Sequence, residues 1–241
     1  MPRRGRPVRR SYLRAAVRAL IAMRRTRVKI CGITRVEDAL AATRAGADAI
    51  GLVLWPGSPR NVSIDEAHTL AAGVSPFVSI VGLFVDPEPG HVRAALAKVS
   101  LDFLQFHGAE PPDFCRSFGR RYLKAVPVGG NATEAALLEY AARYSDACGL
   151  LFDAPPSGGL PGGTGQTFDW DALPRNLAQP LILSGGLSAA NVGDAIRRLK
   201  PWAVDVSSGV EAIGADGRTI RGTKDPARIA AFIEEVRNAD G

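Results

Sequence analysis

The chain has 241 residues, 46% of them apolar and 22% charged, with 26 Gly and 17 Pro. That is the composition of a folded globular protein, and it excludes disordered, collagen-like and disulfide-framework classes. No apolar run approaches the ~18–20 residues of a membrane-crossing helix. Three unevenly spaced Cys suit reduced thiols in a cytoplasmic protein.

The formal charge of +6 sits at one end. Residues 1–22 hold seven Arg and no acid, which leaves 23 basic and 24 acidic residues for the rest. No nucleic-acid-binding body is expected. Residues 1–26 read as a basic extension, disordered or upstream of a start at Met23. Arg-rich, acid-free leaders also bind nucleic acid or anionic lipid, or act as transit peptides. Residues 11–22 have the spacing of a single amphipathic helix, which at ~12 residues is marginal alone in water. Residues 27–241 read as one domain.

From Arg27 onward, short apolar runs alternate with amphipathic stretches. RVKIC (27–31) is a predicted strand. Thr34-x-x-Glu37 reads as a capping box opening a helix that ends at Gly46. Strand two is 48–55, and Ser63-x-x-Glu66 is a second capping box opening helix 64–72. Strand three (77–85) and helix 88–98 follow, then strand four (101–108) and a helix near 110–118. Strand five (121–128) precedes helix 131–143. Strand six (149–154) precedes a Gly/Pro loop and a short helix near 169–174. Strand seven (180–186), helix 188–199, strand eight (202–209) and helix 225–238 complete the chain. Eight strand–helix units without a linker predict an α/β fold, a single closed (β/α)₈ TIM barrel, rather than an open five- or six-stranded sheet.

In such barrels the chemistry lies at the C-terminal strand ends. Gly185-Gly186 after strand seven and Ser208-Gly209 after strand eight are turns where backbone N–H groups can meet an anion, so both loops predict a phosphate site. Asp205 ends strand eight beside them. Alternation along strand one puts Lys29 and Cys31 inside the barrel and Val28 and Ile30 against the helices. An inward Lys near a thiol at a helix start favours the thiolate, the form that acts as base or nucleophile. Asp153 ends the apolar strand GLLFD, placed to cap a helix, pair with Lys29 or transfer a proton. Cys31 and Asp153 flank the phosphate loops, so a base and an acid face a sugar-phosphate-sized site. Cys115 and Cys148 read as structural. Lys124, the nearest candidate for a Schiff-base lysine, has no evident partner. Metal-ligand spacing and Ser-His-Asp signatures are absent from the sequence, so no metal is expected.

Taken together, VKICGIT (28–34), GLVLWPGSPR (51–60), LQFHG (104–108), GGTGQTFDW (162–170), LSGGL (183–187) and DVSSGVE (205–211) resemble the phosphoribosylanthranilate isomerase family of tryptophan biosynthesis. The resemblance runs from about Arg27 to the C-terminus. It implies a cofactor-free Amadori rearrangement of a small phosphorylated substrate, with Cys31 as general base and Asp153 as general acid. It also implies that Arg60 holds the anthranilate carboxylate. A monomer or homodimer is expected, with no membrane partner. Two departures stand out: residues 1–26, and a segment between Glu211 and Lys224 that is longer than the family connection. A histidine-pathway Amadori isomerase or a lyase is the alternative within the same fold. The former would place Asp where Cys31 stands.

Overall fold

The computed structural model describes residues 25–129, 132–155, 165 and 167–241. The stretch 11–22 lies outside them, as does most of the Gly/Pro loop after strand six. The strands are β1 (Arg27–Cys31), β2 (Ala49–Val53), β3 (Ser79–Phe84), β4 (Phe103–Phe106), β5 (Tyr122–Pro127), β6 (Gly149–Asp153), β7 (Leu181–Leu183) and β8 (Ala203–Val206). Each pairs in parallel with the next, and β8 pairs back to β1, closing the expected barrel. The helices are α1 (Val36–Ala45), α2 (Ile64–Ala72), α3 (Pro89–Lys98), α4 (Pro112–Arg116), α5 (Glu134–Arg143), α6 (Val192–Leu199) and α7 (Pro226–Asp240).

Two-residue alternation sorts every strand between two cores. Val28, Ile30, Ile50, Leu52, Phe106 and Leu150 pack outward against the helices. Val81, Leu123, Ala125, Leu151, Ile182 and Ala203 fill the barrel interior. Above them Cys31, Val53 and Leu83 form a small upper layer with Trp55 and Val85. The barrel is thus plugged below, and its upper end is left to form a site.

Local signals explain some boundaries and fail at others. Ser63 and Glu66 form the expected reciprocal capping box, and Gly46 ends α1 in the left-handed region at φ 100°. The box expected at Thr34 does not form. Arg35 is the N-cap of α1, with no side-chain cap bond, because the Thr34 hydroxyl donates instead to the Gly222 carbonyl at 2.6 Å. The helix expected near 169–174 is a single 3₁₀ turn, Trp170–Ala172, opened by the Asp169 side chain. The long segment after Glu211 is an antiparallel hairpin, β9 (Glu211–Ile213) and β10 (Thr219–Lys224), which the strand pattern did not predict. Among the described residues, no helix is long and apolar enough to cross a membrane.

Candidate active site

The upper end of the barrel opens into a pocket enclosing about 660 Å³ of space between atoms, open solvent included. Its walls come from the ends of β1, β2, β3, β4, β6, β7 and β8. Val53, Trp55, Leu83 and Val85 make one wall apolar. Opposite lies a polar arc, Ser184–Gly185–Gly186–Leu187 with Ser207 and Ser208. Cys31, Gln105, His107, Asp153 and Asp205 line the same cavity.

Register decides the partners at the base. The β1–β8 ladder sets Lys29 opposite Asp205, and the Lys29 ammonium donates to Asp205 Oδ1 at 2.8 Å with both side chains buried. Lys29 therefore pairs with Asp205 and not with Asp153. Burial works against its charge, but Asp205 and the adjacent Cys31 more than offset this, so its pKa lies above the ordinary lysine value. The expectation that Lys29 makes Cys31 a resting thiolate fails chiefly because the thiol is buried. Burial raises the Cys31 pKa, and Asp205 raises it further. The pull of Lys29, and a smaller one from Lys224, does not reverse the sign. Cys31 rests as a thiol.

Asp153 is held by two donors. Its Oδ1 accepts the Ala154 N–H at 2.8 Å, and its Oδ2 lies 3.2 Å from His107 Nε2. His107 Nδ1 in turn meets the Gln105 amide nitrogen at 3.0 Å. With Gln105 donating to Nδ1, the ring proton sits on Nε2 and points at Asp153. Gln105 Oε1 is buried without a partner among the described residues. His107 and Gln105 were visible in the LQFHG motif, but nothing in the sequence ties β4 to the end of β6, two strands away.

Arg60, on the loop after β2, is only 4% exposed. Its Nε and Nη2 donate to Glu211 Oε1 and Oε2 at 2.6 and 2.9 Å. Glu211 Oε1 also accepts the Gly222 N–H at 2.9 Å and the Lys224 ammonium at 3.2 Å. Lys224 reaches Ser207 O at 3.0 Å and so ties the hairpin to the polar arc. Burial lowers the Lys224 pKa, and Arg60 lowers it further against the opposing pull of Glu211. Burial alone would raise the Glu211 carboxyl; Arg60, Lys224 and the Gly222 N–H hold it below the ordinary value. The fork side of Arg60 is thus engaged by Glu211. Sequence reasoning gave no role to Glu211 or Lys224.

The glycine turns divide into two kinds. Gly185 and Gly186 take consecutive positive φ of 82° and 62°, a conformation that turns backbone N–H groups toward a concave anion site. A Cβ on Gly185 would also lie 2.7 Å from Ala154 N and 3.0 Å from Asp153 Oδ1. Ser208 lines the cavity, whereas Gly209 does not. Gly209 is required because any Cβ there would overlap the Leu187 carbonyl oxygen, so it packs the two loops together. Cys115 is buried at the helix layer, its thiol pushed up to about 12 mainly by burial. Lys124 is fully buried beneath the β4 loop, paired with Glu110 at 2.8 Å, and the Schiff-base reading fails because it does not line the cavity. The described residues contain no His/Cys/Asp/Glu group able to hold a metal ion.

Residues 28–235 match the family model described as N-(5'phosphoribosyl)anthranilate (PRA) isomerase. The N-(5'-phosphoribosyl)anthranilate isomerase of Halorhodospira halophila is 52% identical over 216 residues, covering 90% of this chain and 99% of that one. A crystal structure of a phosphoribosyl anthranilate isomerase in complex with reduced 1-(o-carboxyphenylamino)-1-deoxyribulose 5-phosphate is 37% identical. It superposes with a TM-score of 0.72 over 88% of this chain and 99% of that one. Monomers generated from the dimeric Thermotoga maritima enzyme are 36% identical, with a TM-score of 0.71 over 88% and 99% of the two chains. With the barrel, the cavity and its strand-end residues, these matches establish that the chain belongs to the N-(5'-phosphoribosyl)anthranilate isomerase family.

Proposed function

We propose that this chain converts N-(5'-phosphoribosyl)anthranilate to 1-(2-carboxyphenylamino)-1-deoxyribulose 5-phosphate in tryptophan biosynthesis, with Asp153 as general acid and Cys31 as general base. The observation that carries the assignment is one cavity lined by a thiol, a doubly held carboxyl and a double-glycine turn. The phosphate sits on the Ser184–Leu187 and Ser207–Ser208 arc. The anthranilate ring lies along Trp55 and Val85, and its carboxylate faces Arg60 on the same β2 loop.

The order of steps follows from the charges. Asp153 gives its proton to the ribose ring oxygen, the C1'–O bond breaks, and the anthranilate nitrogen lone pair forms an iminium. The carboxylate left behind keeps the Ala154 and His107 N–H donors, which stabilise it as its charge appears. The iminium acidifies the C2' proton, which the Cys31 thiolate removes to give an enol-amine that becomes the ketone. Because Cys31 rests as a thiol, it must first release its proton to solvent water through the open mouth of the cavity; this ionisation limits the second step, and the positive iminium favours it. General acid–base steps of this kind contribute ~10²–10⁴-fold each.

No cofactor enters this chemistry, and the enzyme acts as a monomer or a homodimer. We place the enzyme in the cytoplasm, with a small phosphorylated metabolite as its partner rather than nucleic acid or membrane, and assign residues 1–26 no part in the reaction. The test is a fluorescence assay of phosphoribosylanthranilate consumption by the full chain and by Cys31→Ala and Asp153→Asn. Each variant loses at least two orders of magnitude in kcat with its fold intact. Turnover near the parent's in either variant refutes that residue's role.

A further inference from the structure

Lys124 and Glu110 form a buried ion pair outside the cavity, and the reaction above does not use it. Lys124 has no exposed surface, and Glu110 is 3% exposed. Burying two charges costs more than burying apolar groups of similar size, so such a pair needs a structural reason. Its hydrogen bonds supply one. The three N–H donors of Lys124 go to Phe106 O at 3.3 Å, Gly108 O at 2.6 Å and Glu110 Oε2 at 2.8 Å. Glu110 Oε1 accepts from Asp86 N at 2.9 Å, and Glu110 Oε2 from Gly108 N at 3.0 Å. Tyr144 closes the cluster by donating to Glu110 O at 2.9 Å.

The residue between the two bonded carbonyls is His107. Segment 106–110 wraps the Lys124–Glu110 pair, and the His107 side chain leaves the wrap on the cavity side, 3.2 Å from Asp153 Oδ2. The backbone there is irregular, so no strand ladder supplies partners for Gly108 N and Gly108 O. An apolar pair would leave them orphaned. We propose that Lys124 and Glu110 are positioning residues: they fix the backbone on both sides of His107 and thereby aim its Nε2–H at Asp153. The consequence for rate rests on the acid role proposed for Asp153; the placement of His107 does not.

The experiment compares Lys124→Met and the milder Glu110→Gln with the parent and with Leu137→Ala, a core variant in α5 away from the cavity. Each is assayed for kcat and KM, for melting temperature, and for the His107 ring ¹⁵N resonances without substrate. The expected result for the two pair variants is a 10- to 100-fold fall in kcat, KM within about threefold, and shifted His107 resonances. Leu137→Ala melts lower but keeps kcat and the His107 resonances. Unshifted His107 resonances in Glu110→Gln overturn the positioning, even if Lys124→Met does not fold. Shifted resonances with parental kcat overturn its link to catalysis. In that case Asp153→Asn separates the causes: parental kcat there places the failure in the acid assignment, and a large loss places it in the coupling through His107.

Discussion

Replacing Glu211 by Gln tests the electrostatics of the site most directly. Glu211 is the single anion between two buried cations, and it accepts from Arg60 Nε, Arg60 Nη2, Gly222 N and Lys224. Gln keeps one acceptor oxygen, which can serve the three donors at Oε1. Its amide then turns N–H toward Arg60 Nη2, donor against donor. Arg60 and Lys224 both lose the carboxylate they share. Breaking a buried pair from one side costs about 3–5 kcal/mol, which for a domain of this size lowers Tm by roughly 6–20 °C. Part of the cost is relieved if Lys224 gives up its proton, since its pKa is already lowered and loses the support of Glu211. Its unfolded form binds the proton more tightly, so the stability of Glu211→Gln rises with pH toward the ordinary lysine range. On the acid side the parent follows the same sign. The Glu211 pKa is lowered on folding, so its contribution is complete above the ordinary glutamate value and fades as pH falls through the folded value. Glu211→Gln lacks that fade. Because Glu211 also fixes the Arg60 guanidinium, KM rises at least tenfold, equivalent to about 1.4 kcal/mol of lost binding. Calorimetry across pH and steady-state kinetics read both effects. A Tm within 2 °C of the parent's together with an unchanged KM would refute the reasoning; the limit corresponds to roughly 1 kcal/mol or less.

Three further outcomes follow from the geometry. With the Cys31 pKa raised by burial, the rate has a limb that rises with pH from neutrality, which Asp153→Asn exposes by removing the opposing requirement for a protonated acid; no rise between pH 7 and 9 in the residual kcat of that variant would exclude a resting thiol as the base. Gly209→Ala drives a Cβ into the Leu187 carbonyl, so the β7 and β8 loops separate and KM for the phosphorylated substrate rises more than kcat falls. A parental KM for Gly209→Ala shows that the two loops do not act as one anion site. Arg60→Lys recovers little of what Arg60→Ala loses, because a single ammonium cannot hold both Glu211 oxygens and a substrate carboxylate; full recovery in KM would reduce Arg60 to a point charge.

What was legible in the sequence is what depends on local period. Two-residue alternation placed Lys29 and Cys31 inside and Val28 and Ile30 outside, and the barrel packs them so. Eight strand–helix units sufficed to expect closure. What was illegible depends on register and on contacts across the barrel. Asp153 and Asp205 both end strands, and only the β1–β8 ladder decides which one faces Lys29. His107 reaches Asp153 across β5, a contact no spacing encodes. The capping box at Thr34 had the right residues and lost to a hairpin nearly 190 positions away, because Gly222 offers Thr34 a carbonyl.

The same dependence on register governs the charge of the site. Read singly, Lys29 beside Cys31 promised a thiolate. Read as a set, Lys29, Arg60 and Lys224 face Asp205 and Glu211, all five buried. Lys29 is paired with Asp205, and its pull on the thiol does not overcome burial and the Asp205 charge. The Arg60–Glu211–Lys224 group lies beside Ser207 and the polar arc, where the proposed function puts the phosphate. On the acid and base roles proposed above, the base is generated when the iminium supplies positive charge next to C2', which couples proton abstraction to completed ring opening. The buried Cys31 is thereby kept from reacting as a free thiolate between turnovers, since the thiolate is the reactive form.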